Sequence, residues 1–324
     1  MTQVGDAAMP NRLDVTFRSG ETDCAAWHFR GLNEDLAGPS GRPVVVMAHG
    51  LGGTMDSGLA PFAERLAGVG LDVLAFDYRG FGASGGQSRQ SVRLDDQLDD
   101  YRAAIAAAAS LDGVDPNRIV LWGVSLSGGH VLSVGADRSD VAAIVSMTPL
   151  VNGLAAGRLA FATVPKTSIA HSTALGICSR VNRKLGRDPV MMPIVAEPGE
   201  LGALTLPGYK ADYSAIAGPT WENRVDAALG SEIGTYRADK RACDVTAPVL
   251  MQIADFDRSA PPQAAAEAAF AARAEVRHYP CDHFGIYHGQ DWFDAACDHQ
   301  VLFLTRHLRD TSHASAASLL SKSG

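Results

Sequence analysis

Two serines stand two residues apart in Gly123-Val124-Ser125-Leu126-Ser127-Gly128-Gly129-His130, directly after the apolar run RIVLW. A serine hydroxyl is a weak nucleophile until a base takes its proton, so any chemistry here depends on a histidine and an acid elsewhere in the chain. A strand, then Gly-x-Ser, then small residues opening a helix makes a tight turn that pushes the central side chain out of the sheet, which selects Ser125 over Ser127. Ser127 is then expected to be a small packing residue whose hydroxyl serves free backbone N–H groups at the start of the helix.

The acid should follow a later strand. After APVLMQIA comes DFDRSAPP, which offers Asp255 and Asp257. The strand should end near Ala254, and a residue a couple of positions later is better able to turn back, so Asp257 is the expected acid. The alternative for either carboxylate is a turn or a cap on the helix opened by Pro261-Pro262. The base should lie in CDHFGIYHG, after AEVRHYP. His283 sits just past that strand, whereas His278 lies inside it and His288 further along. A loop tip at the carboxyl edge of a sheet can bring an imidazole within hydrogen-bond reach of a serine oxygen. Asp282 is a poor orienting partner because adjacent side chains usually point apart, and His130 reads as a packing or hydrogen-bonding residue. Attack on a carbonyl puts negative charge on oxygen, which preorganised N–H donors stabilise. The loop HGLGGT (His49 to Thr54) follows VVVMA, and the expected donors are the N–H groups of Leu51 and Leu126. Gly52 would let the backbone approach the substrate closely.

These residues need a scaffold that gathers strand ends. PVVVMA, LDVLAFD, RIVLWG, VAAIVSM and APVLMQIA are short continuous apolar runs, as expected of parallel strands buried on both faces. Helical patterns separate them. Leu94, Leu98, Tyr101 and Ile105 form one stripe with aspartates on the other face, and Phe293, Cys297, Val301, Leu304 and Leu308 form another. Alternating strand and helix implies a doubly wound, mostly parallel α/β sheet whose ligand site lies beyond the carboxyl ends of the strands. RLDVTF and CAAWHFR, around Ser19-Gly20-Glu21, read as an antiparallel hairpin in front of it.

The alternation breaks between about Asn152 and Arg241, where several helical pieces but no strong buried strand are found. With 324 residues, one large domain carrying an insert is expected: a core of residues 1–151 and 242–324 and a mainly helical cap of residues 152–241. The insert carries Phe161, Met191, Met192, Tyr209, Tyr213 and Trp221. Some of these form its own small core and others must face the cleft they cover; Met191, Met192, Tyr209, Tyr213 and Trp221, together with Gly52, are the expected substrate-binding set.

Charged residues make up 20% and hydrophobic ones 46% of the chain, a globular composition. The formal charge of -8 disfavours nucleic acid and anionic membrane surfaces as partners, and suits a small neutral or cationic ligand. The cysteines Cys24, Cys178, Cys243, Cys281 and Cys297 are odd in number and lack CxxC spacing, so neither a disulfide framework nor a zinc site is indicated. No cofactor is called for. The start MTQVGDAAMPNRLD has no basic region followed by an apolar one, which points to the cytoplasm. The tail after Arg309 is expected to fray.

HGLGG, DYRGFGAS (Asp77 to Ser84), GVSLSGG, DFDRSAPP and DHFGIY, in that order, resemble the α/β-hydrolase superfamily from about Leu13 to Leu308. The resemblance implies a Ser125-Asp257-His283 triad under a helical cap, with Ser127 where glycine is usual. The amino-terminal hairpin, the AEPGELGALTLPG segment and HFGIYHG are also similar to actinobacterial serine hydrolases of esters and lactones. That set includes lactonases that open the resorcylic macrolactone zearalenone. The expected activity is therefore hydrolysis of a carboxylic ester or lactone through an acyl-enzyme. Thioester or amide hydrolysis and acyl transfer would use the same residues, and a ligand-binding protein could keep the fold without turnover. A homodimer or homotetramer is the expected assembly.

Overall fold

The computed structural model describes residues 12–309; the expectations for the amino terminus and for the tail lie outside the described residues. The chain opens with β1 (Arg12–Ser19) and β2 (Thr22–Phe29), joined by the two-residue turn Gly20-Glu21 with Ser19 paired to Thr22. The parallel strands follow with their crossovers: β3 (Arg42–Ala48), α1 (Ala60–Ala67), β4 (Asp72–Phe76), α2 (Leu94–Ala108), β5 (Val114–Val124), α3 (Leu126–Gly135) and β6 (Val141–Met147). After β6 the chain leaves the sheet through α4 (Gly153–Thr163), α5 (Lys166–Lys184), β7 (Met191–Met192), α6 (Tyr209–Ile216), β8 (Val225–Asp226) and α7 (Leu229–Thr235). It returns with β9 (Val249–Ala254), α8 (Pro262–Ala271), β10 (Glu275–Tyr279) and α9 (Phe293–Leu308).

One eight-stranded sheet runs β1-β2-β4-β3-β5-β6-β9-β10. β2 pairs antiparallel with β4, and from β4 to β10 every pairing is parallel. Parallel neighbours need a crossover of a dozen or more residues, which is why a helix separates each pair in sequence. Every residue of β3, β4 and β9 is buried, as their unbroken apolar runs require. The doubly wound α/β-hydrolase fold expected from the sequence is the fold observed. Among the described residues no helix is long and apolar enough to cross a membrane.

One detail departs from the expected pattern. Asp100 of α2, read as solvent-facing, is fully buried. It accepts hydrogen bonds from Arg79 Nε (2.8 Å), Arg79 Nη2 (2.6 Å) and the Arg79 N–H (2.9 Å). The buried face of α2 is centred on Gln97, Asp100, Tyr101 and Ala104, so a carboxylate falls inside and is neutralised by the β4–α2 loop. At the amino edge of the parallel strands, Asp72 is likewise buried, held by Arg42 Nε (2.6 Å), His28 Nε2 (2.7 Å) and the Gly31 N–H (3.0 Å). Burial would raise its pKa, but the hydrogen bonds from His28, Arg42 and Gly31 outweigh that and hold it down at about 2.

Candidate active site

Ser125 lies between the last residue of β5 and the first of α3, at φ 58° and ψ -117°. A non-glycine residue in that region is strained, and the surrounding sheet has to enforce it. Its N–H is tied to Met147 O of β6 at 2.9 Å, and its carbonyl accepts from Leu150 N at 2.9 Å. The side chain is thereby presented at the carboxyl edge of the sheet.

The Ser125 hydroxyl faces His283 Nε2 at 3.1 Å, and His283 Nδ1–H donates to Asp257 Oδ2 at 2.5 Å. His283 follows β10 and Asp257 follows β9, so three strand ends supply the chain of hydrogen bonds. The other Asp257 oxygen accepts from Ser259 N (2.8 Å), Ser259 Oγ (3.1 Å) and Ala260 N (2.7 Å), which fixes the carboxylate. Asp255 is not part of it: at 39% side-chain exposure it pairs with His278 on the surface at 2.6 Å. Asp282 holds the loop rather than the imidazole, accepting from the His283 N–H, from Arg258 and from the Tyr209 hydroxyl. His283 is buried, which alone would lower its pKa; the charge of Asp257 and its hydrogen bond, with a contribution from Asp282, outweigh burial and raise it above the ordinary imidazole value. The arrangement can take a proton from the serine and stabilise the resulting imidazolium.

The loop after β3 lies against the serine: a Cβ placed on Gly50 would fall 2.9 Å from Ser125 Cβ. Leu51 is the next residue and lines the same cavity as Ser125. Leu126 opens α3, and the first N–H groups of a helix have no intrahelical acceptor. Both residues expected to supply the donors thus lie beside the serine. His49, pushed down to about 4 by burial, is neutral and donates its Nδ1–H to Gly50 O at 2.9 Å.

Ser127 behaves differently from expectation. Its hydroxyl donates to His49 O at 2.5 Å and lies 2.6 Å from the Tyr78 hydroxyl, so it ties α3 to the loops after β3 and β4 instead of serving helix N–H groups. Ser127 is fully buried on the inner side of the helix, where the His49 carbonyl is within its reach. His130 is a buried hydrogen-bonding residue, with Tyr236 Oη at 2.7 Å and Gln97 Oε1 at 3.0 Å.

The cavity above Ser125 is lined by Leu51, Val124, Leu204, Ile216, Phe284 and Tyr287, with Ser57, Tyr213 and His283 as polar members. Among the described residues none that lines it is Asp, Glu, Lys or Arg. Its free volume is about 20 Å³, room for about one water molecule.

Of the side chains expected to face a substrate, Tyr213 lines this cavity and the others do not. Met191 and Met192 form the short pairing of β7 with β8, which turns them to the excursion's own packing. Tyr209 stacks near His283 with ring centroids 6.5 Å apart, but its hydroxyl is spent on Asp282. Trp221 Nε1 donates to Gly52 O, and Gly52 itself is covered by Ile194. The aliphatic members Leu204 and Ile216 were missed because large aromatic groups drew the choice; Phe284 and Tyr287 were within reach, standing beside His283 in HFGIYHG.

The chain is similar to several known proteins. Residues 39–191 match the family described as serine aminopeptidase, S33. Over 297 residues, 91% of this chain and 94% of the relative, the sequence is 37% identical to quorum-quenching protein AidA of Acinetobacter baumannii. It is 30% identical to thiohydrolase aneE of Aspergillus aculeatus over 162 residues, half of each chain. The solved α/β hydrolase GrgF from Penicillium sp. sh18 superposes with a TM-score of 0.74 at 21% identity, covering 92% of this chain and 99% of that one.

Proposed function

Because the chain belongs to the α/β-hydrolase serine hydrolases, we propose that it uses Ser125, His283 and Asp257 to hydrolyse an uncharged, apolar carboxylic ester or lactone. Ser125 Oγ attacks the carbonyl carbon as its proton passes to His283 Nε2, and Asp257 holds the imidazolium. The developing oxyanion is received by the N–H groups of Leu51 and Leu126. Collapse breaks the bond to the leaving oxygen, which takes the proton from His283 and leaves an acyl-Ser125 ester. Water then attacks that ester, gives its proton to His283, and releases the acid as the serine recovers its own proton. With a lactone, acyl group and alcohol stay in one molecule and the product is a ring-opened hydroxy acid.

The observation that carries this reading is the hydrogen-bonded Ser125–His283–Asp257 chain opening onto a largely apolar cavity that, among the described residues, no Asp, Glu, Lys or Arg lines. Residues 152–241 act in this proposal as a cap over the core of residues 1–151 and 242–324. Zearalenone, a bulky neutral macrolactone, is the first substrate to try. Acyl transfer is the second reading, favoured by relatives named polyketide transferases; an alcohol would replace water in the second half-reaction.

The test is incubation with p-nitrophenyl butyrate and with zearalenone, beside Ser125→Ala. Turnover by the unaltered protein and its loss in the variant are expected. Equal turnover by both would refute the role of Ser125, whereas intact zearalenone alone would refute only that substrate.

A further inference from the structure

The loop that carries Leu51 is held from two sides. From the core side, Gly50 O accepts the His49 Nδ1–H at 2.9 Å and the Gly53 N–H at 3.2 Å. Those two bonds fix the peptide plane that contains the Leu51 N–H. The next two carbonyls are held by the excursion between β6 and β9. Leu51 O accepts the Tyr213 hydroxyl at 2.8 Å, and Gly52 O accepts Trp221 Nε1 at 3.0 Å. Tyr213 and Trp221 stack on one another with centroids 5.1 Å apart, so the two donors are a single unit.

The same grip continues along the loop. Gly52 sits at φ 64°, and a Cβ there would fall 2.7 Å from Ile194 Cδ1, so the excursion packs directly on a backbone that only glycine adopts easily. Asp56 accepts the Thr220 N–H at 2.9 Å and the Thr54 hydroxyl at 2.5 Å. Tyr213 also lines the cavity together with Leu204 and Ile216 of the same excursion. The cavity as it stands has room for about one water, so a bulky acyl group needs this wall to give way. Movement of Tyr213 releases the carbonyl of Leu51 to solvent.

We propose that Tyr213 and Trp221 are positioning residues that complete the oxyanion loop. Their hydrogen bonds orient the peptides on the far side of Leu51, so its N–H is aimed at the reacting carbonyl when the excursion is seated and loses that aim when it lifts. Entry and chemistry are thereby separated: the open form admits substrate with a loosened donor, and closure assembles the donor over the bound acyl group. The proposal rests on Ser125 acting as the acylated nucleophile.

The experiment compares Tyr213→Phe, which keeps the ring stack and removes one hydroxyl, with Trp221→Phe, Ser125→Ala and the unaltered protein. Readouts are the rate of Ser125 labelling by a fluorophosphonate, the kcat and KM for p-nitrophenyl butyrate, and the thermal midpoint. Removing an oxyanion donor outright costs about 10²–10³ in kcat, and misaiming one costs less; a loss of about tenfold in labelling rate and kcat is expected for each variant. KM should stay within about twofold and the midpoint within about 3 °C, because the ring packing survives. Labelling and kcat unchanged in both variants would overturn the proposal. So would a loss that appears in KM and the midpoint instead of kcat, which marks a merely structural role. If the unaltered protein is not labelled at Ser125, the underlying reading fails and the proposal falls with it.

Discussion

The sheet carries two buried histidine–aspartate pairs, one at each end of its parallel strands. His28 and Asp72 meet at 2.7 Å at the amino edge, and His283 and Asp257 meet at 2.5 Å at the carboxyl edge. Both carboxylates are further held by backbone N–H groups, and both pairs are shielded from water. The difference lies in the third partner. Asp72 also binds the Arg42 guanidinium, so that cluster is charge-neutralised and closed, tying together β2, β3 and β4. His283 turns its free nitrogen to a strained serine at the mouth of a cavity. A buried His–Asp pair is thus not in itself a sign of chemistry; the arginine on Asp72 and the strained serine facing His283 are what set the two pairs apart.

Separating the two pairs by mutation gives the largest expected effects. Asp257→Asn should lower kcat by about four orders of magnitude, as for the equivalent change in a Ser-His-Asp enzyme, while leaving the urea midpoint nearly unchanged. Asp72→Ala should do the reverse. It leaves Arg42 buried without its main partner, and breaking such a pair costs about 3–5 kcal/mol of stability, measurable by urea unfolding, with kcat retained in the folded fraction. Loss of kcat in the Asp72 variant at temperatures where it is folded would erase the distinction.

The two pairs also answer differently to pH. The Asp72 pKa is depressed in the folded state, from 3.8 to about 2, so its stabilisation is complete above the unfolded value and is lost as pH falls from about 4 to about 2. The His283 pKa is raised, and the base must be neutral to act. The acid limb of kcat/KM should therefore lie above pH 6.5, the ordinary imidazole value. A titration of kcat/KM checks this. In Asp257→Asn the limb should move down because the charge that favours the imidazolium is gone.

How much of this was legible in the sequence follows the same division. The strands were legible because both their faces are buried, and a continuous apolar run such as PVVVMA has no other comfortable place. The hydrogen-bonded chain of Ser125, His283 and Asp257 was legible because each residue follows the end of a strand within a short loop, Ser125 directly and the other two a few residues on. Asp100 was not, since the stripe on α2 is wide enough to take a carboxylate inside once Arg79 reaches it. The cavity-lining residues of the excursion, Leu204 and Ile216, were not legible either. In the excursion α4 buries Gly153 and α5 buries Gly176 and Ser179, so periodicity there carries little information about which side faces the cleft. Met191 and Met192 look like a pocket wall in one dimension and prove to be a two-residue pairing.

That contrast predicts the smallest effect. Leu121→Ala in β5, fully buried, should cost about 2–5 kcal/mol. Ile177→Ala on α5, 58% exposed, should change stability by no more than about 0.5 kcal/mol. Unfolding curves of the two variants would show whether the excursion is as loosely coupled to global stability as its burial implies.

The central claim is that Ser125 carries the acyl group between two half-reactions. Rapid acid quench of the protein with p-nitrophenyl acetate, followed by intact-mass and peptide mass spectrometry, tests it most directly. One acetyl group on the peptide containing Ser125, formed in a burst and absent from Ser125→Ala, is the result expected. Hydrolysis without any acylated protein, or an acetyl group on another residue at the rate of turnover, would contradict it.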